Sequence, residues 1–239
     1  IELINNDPVE KVDKENKIVT TSKGIEVKYD ICIFATGSKA FVLPIPGSNF
    51  PSVIGWRTID DTNKMIEIAQ TKKRAVVIGG GLLGLECARG LLDQGMEVTV
   101  LHLADWLMEM QLDRKAGDML KADLEKQGMK IELQANSKEI IGDKDVEAIK
   151  LADGQVIETD LVVMAVGIRP YTEVAKDSGL DVNRGIVVND YMQTSDSHIY
   201  AVGECAEHDG KVYGLVAPLY EQGKVLADYL TGKETKGYK

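Results

Sequence analysis

One glycine-rich segment constrains the fold of this chain more than any other feature. Gly79, Gly81 and Gly84 form a G-x-G-x-x-G pattern that follows the apolar run Val76–Ile78 and opens an amphipathic helix. The first glycine permits a tight turn, the second lets backbone approach a pyrophosphate, and the third lets the helix pack on the strand. The pattern predicts a dinucleotide site. The alternative is a glycine-rich turn without a ligand.

The residues around this loop predict how a dinucleotide would be held. Leu82 and Leu83 open the helix, so their N–H groups are expected to point at the diphosphate. His102 lies at the end of the next strand, where an acid usually binds the ribose 2′-hydroxyl of NAD and a basic residue binds the phosphate of NADP. A histidine there could do either, or contact only water. No arginine follows before Arg114, so we predict a preference for NADH.

Alternating strands and helices predict an α/β fold. Between residues 58 and 166, apolar strands alternate with helices of 3.6-residue period, which favours a parallel sheet covered on both faces. A β-meander is expected before the last strand of this section. The predicted elements are a helix opening at Thr58, Ala75–Ile78, Leu82–Gln94, Glu97–Leu103, Asp113–Gln127, Lys130–Leu133, Glu139–Ile141, Ala148–Leu151, Val156–Ile157 and Leu161–Val166.

The flanking sections are predicted to be shorter and richer in strands. A Pro/Gly-rich stretch, Pro44–Pro51, is interpreted as a linker, because proline fixes extended backbone and removes a donor. The predicted flanking elements are Val9–Val12, Lys17–Thr21, Ile25–Tyr29, Ile31–Ala35, Gly185–Val188, Ile199–Val202 and a helix from Pro218 to Leu230.

Composition excludes several classes of protein. The chain carries 38 acidic and 28 basic residues, a formal net charge of −10, whereas nucleic acids and anionic membranes attract basic surfaces. No apolar run has the length of a transmembrane helix, and we expect no secretory leader. Three distant cysteines, Cys32, Cys87 and Cys205, exclude a disulfide framework and a local zinc site. A cytoplasmic protein that binds neither nucleic acid nor a membrane is expected.

Several other residues are predicted to be structural. Cys32 and Cys87 are expected in the core, and Cys205 is either packed or a reactive thiol. His198 and His208 have no partner at metal-ligand spacing and are expected at the surface. The acidic run at residues 143–145 is expected to be a solvated turn.

Three further segments resemble the motifs of a known family. Thr194–Glu204 resembles the flavin-ribityl motif of the two-dinucleotide flavoprotein reductases, the glutathione-reductase-like superfamily. Ala35–Gly37 and Ala165–Pro170 resemble two other hallmarks of that superfamily. Together with the glycine loop they follow the order of the family along the chain.

Other segments narrow this resemblance. Position 204 is Glu, where most of these reductases carry Asp. Gly203–Ala206 and Val212–Pro218 are similar to the large subunit of assimilatory NAD(P)H nitrite reductase. Leu107–Asp113 and Arg57–Asp61 resemble the same family. The resemblance covers nearly the whole chain.

The resemblance implies a domain organisation and a reaction. A Rossmann-like NAD(P)H-binding domain, residues 52–170, would be inserted in a partial FAD-binding domain of the same type, residues 1–51 and 171–239. NADH or NADPH would pass a hydride to FAD. In the intact protein, iron–sulfur and sirohaem centres outside this chain would use the electrons to reduce nitrite to ammonia in nitrate assimilation. A nitrite-reducing module and a small subunit are the implied partners.

The resemblance also assigns site residues. Glu86 would lie on the nicotinamide side, although the helix dipole alone would favour a carboxylate in that first turn. No residue is assigned a catalytic or metal-binding role, because hydride transfer needs no acid or base from the protein. The expected cofactor-binding residues are Thr36, Gly37, Gly79, Gly81, Leu82, Leu83, Gly84, Glu86, His102, Val166, Gly167, Gly203, Glu204 and Pro218.

The sequence leaves two other functions open, and it indicates that the chain is part of a longer protein. One is an NADH oxidase or rubredoxin reductase, and the other is a redox-silent dinucleotide-binding module. Because Ile1–Ile4 has the pattern of a strand interior, we expect an internal fragment whose first FAD phosphate-binding unit lies upstream. Such a fragment is expected to be inactive, to hold little FAD and to self-associate through uncovered apolar strands.

Overall fold

The structure, a computed structural model, describes residues 1–239. The helices are α1 (Ile59–Ala69), α2 (Leu82–Asp93), α3 (Arg114–Lys126), α4 (Glu173–Asp177) and α5 (Val216–Leu230). The strands are β1 (Val9–Asp13), β2 (Ile18–Thr21), β3 (Glu26–Lys28), β4 (Cys32–Phe34), β5 (Ser38–Ala40), β6 (Val53–Gly55), β7 (Arg74–Ile78), β8 (Glu97–Leu101), β9 (Lys130–Glu132), β10 (Ser137–Ile141), β11 (Ala148–Leu151), β12 (Val156–Glu158), β13 (Leu161–Met164), β14 (Ile168–Pro170), β15 (Ile186–Val188), β16 (Ile199–Ala201), β17 (Ala206–His208) and β18 (Lys211–Val212).

The chain divides into two compact units. Unit 1 comprises Ile1–Lys39 and Ile168–Lys239, and unit 2 comprises Ala40–Gly167. The predicted domain borders, after residues 51 and 170, do not coincide with these limits. Which nucleotide each part binds stays a prediction.

Unit 2 contains a five-stranded parallel sheet in the order β6-β13-β7-β8-β9. All four residues of β13 are buried, as expected for a parallel strand covered on both faces. A three-stranded antiparallel meander, β10-β11-β12, completes the unit. The predicted α/β fold with a parallel sheet and a meander is confirmed.

Helix α1 begins where the sequence predicts it. Thr58 is its N-cap, and Thr58 and Asp61 form a reciprocal capping box, which satisfies two backbone donors of the first turn. Met65 is the buried side chain of this helix. The cap pattern therefore located a helix start from local chemistry alone.

The Pro/Gly-rich stretch 44–51 is not a linker, and that interpretation is wrong. It lies within unit 2, where the N–H of Ile140 donates to the carbonyl of Pro46 at 2.8 Å. Ile45 and Phe50 pack against the hydrophobic cluster beneath the meander. The prolines favour extended backbone, but the apolar residues between them dock that backbone onto the core.

The acidic turn at residues 143–145 also differs from its prediction. Asp143 is exposed, but Asp145 is half-buried and accepts hydrogen bonds from Ser52 N–H at 2.9 Å and Ser52 Oγ at 2.6 Å. Burial acts to raise the pKa of Asp145, but hydrogen bonds from Ser52 and Val146 outweigh it and lower the pKa. Asp145 thus fastens the turn to Ser52.

Unit 1 is built from small sheets around a separate core. These are β1-β2-β3 (antiparallel), β4-β16 (parallel), β5-β14 (a strand pair) and β15-β17-β18 (mixed). Phe34, Ile186 and Ile199 are buried in their common core. None of the five helices of the chain combines the length and apolar character that crossing a membrane requires.

His208 is not a surface residue, so that prediction is wrong. It lies on β17, is buried, and bonds through Nε2 to Asp190 Oδ1 at 2.9 Å. Its ring also packs edge-on against Tyr238, with centroids 5.2 Å apart. His198, by contrast, is partly exposed, with 45% of its side chain accessible.

Candidate nucleotide-binding sites

The glycine loop of unit 2 lies at the carboxyl end of β7, the strand at which the strand order of the parallel sheet reverses. β8 and β9 lie on one side of β7, and β13 and β6 lie on the other. Gly79 N–H donates to Leu101 O, and Ala165 N–H donates to Ile78 O, each at 2.8 Å. Open α/β sheets bind ligands in the crevice at such a switch point.

Two of the three motif glycines are required by the protein itself. Gly79 has φ +121°, and a Cβ there would lie 2.3 Å from the carbonyl oxygen of Ala165. A Cβ on Gly84 would lie 2.0 Å from the carbonyl oxygen of Gly79. These contacts fit the tight turn and the close helix–strand packing that the motif predicts.

Gly81 differs, because nothing in the protein requires a glycine there. It has extended backbone (φ −87°, ψ −175°) and is the N-cap of α2 without any side-chain cap. A Cβ at Gly81 would meet no atom within 4 Å. Leu82 and Leu83, which follow it, are exposed, and first-turn N–H groups have no partner within a helix. The open space at Gly81 would let a pyrophosphate approach the free N–H donors in the first turn of α2.

A cleft of about 650 Å³ lies beside this loop. It is lined by Gly79–Leu82 and, just after β13, by Ala165, Val166 and Gly167. Glu86 does not line it, and lies exposed on α2. The loop residues and the Ala165–Gly167 segment, predicted separately, are therefore brought together.

His102 contacts the loop itself. It is buried, Gly80 N–H donates to its Nδ1 at 3.0 Å, and its Nε2 lies 2.9 Å from Glu109 Oε2. A Cβ on Gly80 would lie 2.7 Å from His102 Cγ. The interpretation of His102 as a histidine that contacts only water is therefore wrong. Its contact with a ribose stays a prediction.

Glu109 is a cleft residue that the sequence analysis missed. It lies in the segment 107–113, which had been noted only for its resemblance to a family. The signal that could have identified it is chemical: a histidine buried at a strand end needs hydrogen-bond partners. The partner lies seven positions further along the chain.

The turns that follow β4 and β16 in unit 1 lie side by side. Because β4 and β16 pair in parallel, with Ala201 beside Phe34, both strands end at the same edge. Val202 N–H donates to Phe34 O at 3.0 Å. Gly37 and Gly203 follow with φ +65° and +86°, and a Cβ on either would meet no atom within 4 Å. The expected flavin-binding turns are thus adjacent and open.

Side chains hold these turns in place. Ser38 Oγ donates to Glu204 Oε2 at 2.7 Å, and Thr36 Oγ1 donates to Tyr171 O at 2.9 Å. Gly203 N–H donates at 2.9 Å to Oε1 of Gln222, a fully buried residue on α5. The carboxylate of Glu204 is an acceptor suited to a ribityl hydroxyl.

Helix α5 begins earlier than predicted. It starts at Val216 with Leu215 as N-cap, so Pro218 is the third helical residue and not the first. The position is compatible with proline, because first-turn N–H groups have no intrahelical partner. Proline therefore marks the first turn and does not locate its first residue.

The three cysteines are free thiols, and each is at least partly buried. Burial raises the pKa of the Cys87 thiol to about 12 and also raises that of Cys32. Cys205 is fully buried, with its Sγ 3.3 Å from the carbonyl oxygen of Val202. No group of three or more His, Cys, Asp or Glu side chains is placed to hold a metal ion.

Known proteins resemble this chain over its whole length. Residues 1–223 match the family model described as pyridine nucleotide-disulphide oxidoreductase. The chain belongs to this family. Nitrite reductase [NAD(P)H] of Bacillus subtilis (strain 168) is 58% identical over 238 residues, covering 100% of this chain and 30% of that protein. The assimilatory nitrate reductase electron transfer subunit of the same strain is 46% identical over 238 residues, covering 100% of this chain and 31% of that protein.

A solved structure is also similar to this chain. A ferredoxin reductase from Rhodopseudomonas palustris superposes with a TM-score of 0.93 at 31% identity, covering 100% of this chain and 60% of that one. This chain spans about a third of the length of the two curated relatives. Fold and family are therefore established, whereas the activity of a longer protein is a matter for proposal.

Proposed function

We propose that this chain is the electron-input part of an NAD(P)H-dependent flavoprotein oxidoreductase. Unit 2 binds NAD(P)H at the glycine loop, and unit 1 contributes to FAD binding through Thr36, Gly37, Gly203 and Glu204. Gly81 carries the proposal for unit 2. It is the one motif glycine that the protein itself does not need, and it begins a helix whose first-turn donors are free to bind a diphosphate.

The residues of each unit would position their nucleotide. In unit 2, the N–H groups at the start of α2 bind the pyrophosphate, while Val166 and Gly167 line the same cleft. In unit 1, Glu204 accepts a ribityl hydroxyl, and Ser38 keeps its carboxylate oriented. When bound, FAD would supply the two-electron chemistry by accepting a hydride from the nicotinamide.

The acceptor is a finer part of this proposal. High identity to the Bacillus nitrite reductase over the whole chain supports a role in nitrite reduction within a longer protein; ammonia as the product and the cytoplasm as the location are further parts of the proposal. Iron–sulfur and sirohaem centres would then lie outside this chain, because its three separated cysteines cannot supply a four-cysteine cluster. A nitrite-reducing module and a small subunit would be its partners.

Reconstitution tests the proposal. The chain is incubated with FAD, and the unbound FAD is removed. It is then titrated anaerobically with NADH while the absorption band of the flavin at about 450 nm is followed. Because the chain is expected to hold little FAD, we expect NADH to bleach the small fraction of flavin that the chain retains, and Gly81→Val to retain the same fraction unbleached. NADH binding without any bleaching would favour a redox-silent nucleotide-binding module. Failure of NADH to bind would overturn the assignment of unit 2.

A further inference from the structure

His102 is held in one tautomer by its surroundings. Gly80 N–H donates to Nδ1, so Nδ1 must keep its lone pair and carry no proton. The neutral ring then carries its proton on Nε2 and donates it to Glu109 Oε2. Both ring nitrogens are used within the protein. The ring therefore has no nitrogen left to bind a ribose or a phosphate while these two hydrogen bonds stand.

Glu109 has the acceptor capacity that His102 lacks. A carboxylate offers about four lone-pair positions, and the hydrogen bond from His102 engages Oε2 alone. The structure gives Oε1 no protein partner. The side chain is 35% exposed and lines the cleft beside the glycine loop. An available acceptor therefore lies near the carboxyl end of β8, where G-x-G-x-x-G domains bind the ribose 2′-hydroxyl.

The segment that carries Glu109 is fixed before any ligand arrives. Leu107 is fully buried, and Met108 N–H donates to Gly80 O at 3.0 Å. Gln111 N–H closes a turn onto Met108 O at 2.8 Å. Met108 has φ +55°, a conformation that is uncommon for residues other than glycine. Glu109 is thus positioned by the same glycine loop that would bind the pyrophosphate.

The cleft contains no cation to receive an extra phosphate. No lysine or arginine lines it, and Glu109 is its only acidic residue. Arg114, the next arginine along the chain, pairs with Asp105 and Asp118. Exposed Leu103 (69%) and Met110 (82%) line the same cleft and could cover the apolar face of an adenine. A 2′-phosphate would meet a carboxylate and no counter-charge.

We infer that Glu109, and not His102, is the specificity-determining residue of this site. Its carboxylate accepts a hydrogen bond from the ribose 2′-hydroxyl of NADH and repels the 2′-phosphate of NADPH. His102 is a positioning residue that orients Glu109 against the loop. This inference rests on the proposed function of unit 2. It moves the discriminating acid from the strand end to the loop that follows β8.

Two ligands that differ only at the 2′ position test it directly. The full chain is titrated by calorimetry with ADP-ribose and with 2′-phospho-ADP-ribose, and the ratio of dissociation constants is compared between variants. The wild type should bind ADP-ribose at least about tenfold more tightly. Glu109→Gln keeps an acceptor for His102 but loses the charge, so it should reduce that ratio about tenfold. Glu132→Gln, the same change on β9 outside the cleft, should leave the ratio unchanged.

The remaining outcomes separate this inference from the proposed function. The inference would be overturned if the ratio of the two dissociation constants stayed unchanged in Glu109→Gln. If that ratio also fell to about one in His102→Asn, the discrimination would be assigned to His102. The binding of unit 2 to dinucleotides would then still stand. If neither ligand nor NADH binds the wild type, the proposed function fails and the inference fails with it.

A measurement on the wild type covers the case in which Glu109→Gln does not fold. Salt screens repulsion between charges, so raising the ionic strength should narrow the ratio between the two ligands. A ratio that widens with salt would indicate that the 2′-phosphate meets a cation, which contradicts the inference.

Discussion

The two candidate sites hold their shape in different ways. In unit 2 the loop follows β7, whose last four residues are buried, and its shape depends on backbone packing at Gly79 and Gly84. In unit 1 the turns follow a two-stranded sheet whose Ile33 is 46% exposed, and side-chain hydrogen bonds hold them. Substitutions should therefore act through steric overlap in unit 2 and through lost hydrogen bonds in unit 1.

The chain offers a separate optical probe for each unit. Both tryptophans, Trp56 and Trp106, lie in unit 2, and all eight tyrosines lie in unit 1. Tryptophan fluorescence therefore reports the unfolding of unit 2, and tyrosine near-UV circular dichroism reports mainly that of unit 1. The stability of each unit can therefore be measured separately in the same sample.

The largest effect is expected from Gly84→Ala. The added methyl group would overlap the Gly79 carbonyl, so the free energy of unfolding of unit 2 should fall by about 3 kcal/mol. Urea unfolding followed by tryptophan fluorescence measures this. Gly90→Ala in the same helix is the control. It meets no atom within 4 Å and should stabilise the helix slightly. Equal midpoints for the two variants would contradict the packing argument.

Gly81→Val should affect binding more than stability. The side chain would occupy the open space beside the α2 donors, so NADH affinity should fall at least about 100-fold, or about 2.7 kcal/mol. The tryptophan-detected free energy of unfolding should fall by only about 1 kcal/mol, because valine is a poorer N-cap than glycine but a Cβ at this position meets no atom within 4 Å. Gly81→Ala should give a smaller loss. Unchanged NADH affinity in the Val variant would show that the loop does not bind the nucleotide.

Ser38→Ala tests unit 1. It removes the donor to Glu204, and hydrogen bonds to charged groups contribute about 1.5 kcal/mol or more. The free energy of unfolding of unit 1, followed by tyrosine circular dichroism, should fall by about that amount. The affinity for NADH should stay unchanged. Ser22→Ala removes an exposed bond to Asp7 in the same unit and should change stability by less than about 0.5 kcal/mol. A shift in tryptophan-detected unfolding alone would contradict the assignment of this bond to unit 1.

The smallest effect is a pH dependence at Asp160. A hydrogen bond from the Arg74 side chain, together with backbone N–H donors, holds the pKa of Asp160 below its ordinary value of 3.8. On acidification the unfolded chain therefore takes up this proton first. The stabilisation is fully present above about pH 4 and is lost as the pH falls through the lower folded-state value.

Asp160→Asn should accordingly destabilise unit 2 at pH 6 by about 1 kcal/mol or less, since the pair is partly exposed. The difference from wild type should shrink as the pH falls below about 4. Glu173→Gln in unit 1, which removes an exposed partner of Lys39, should have nearly no effect on tyrosine-detected unfolding. A destabilisation by Asp160→Asn that persists in acid would contradict the electrostatic explanation.

Features that depend on local chemistry were predictable. The capping box at Thr58, the glycine loop and the long amphipathic helices follow from neighbouring residues, and the structure places them within a few positions of the prediction. Short strands such as β6 and β17 were missed. Each has three residues, and its identity depends on a pairing partner that is distant in the sequence.

The sequence by itself determined the family, the strand–turn–helix at Gly79–Gly84 and the motifs that end at Gly37, Pro170 and Glu204. Spacing and backbone freedom are local properties, so these features can be recognised without the fold. Tertiary structure alone decided what surrounds them. It buried His208 against Asp190 and Tyr238, docked the proline-rich segment on the core, and placed Glu109 on His102. Those contacts join residues from different elements. A side chain's partners, and therefore its chemistry, follow from which surfaces the fold brings together.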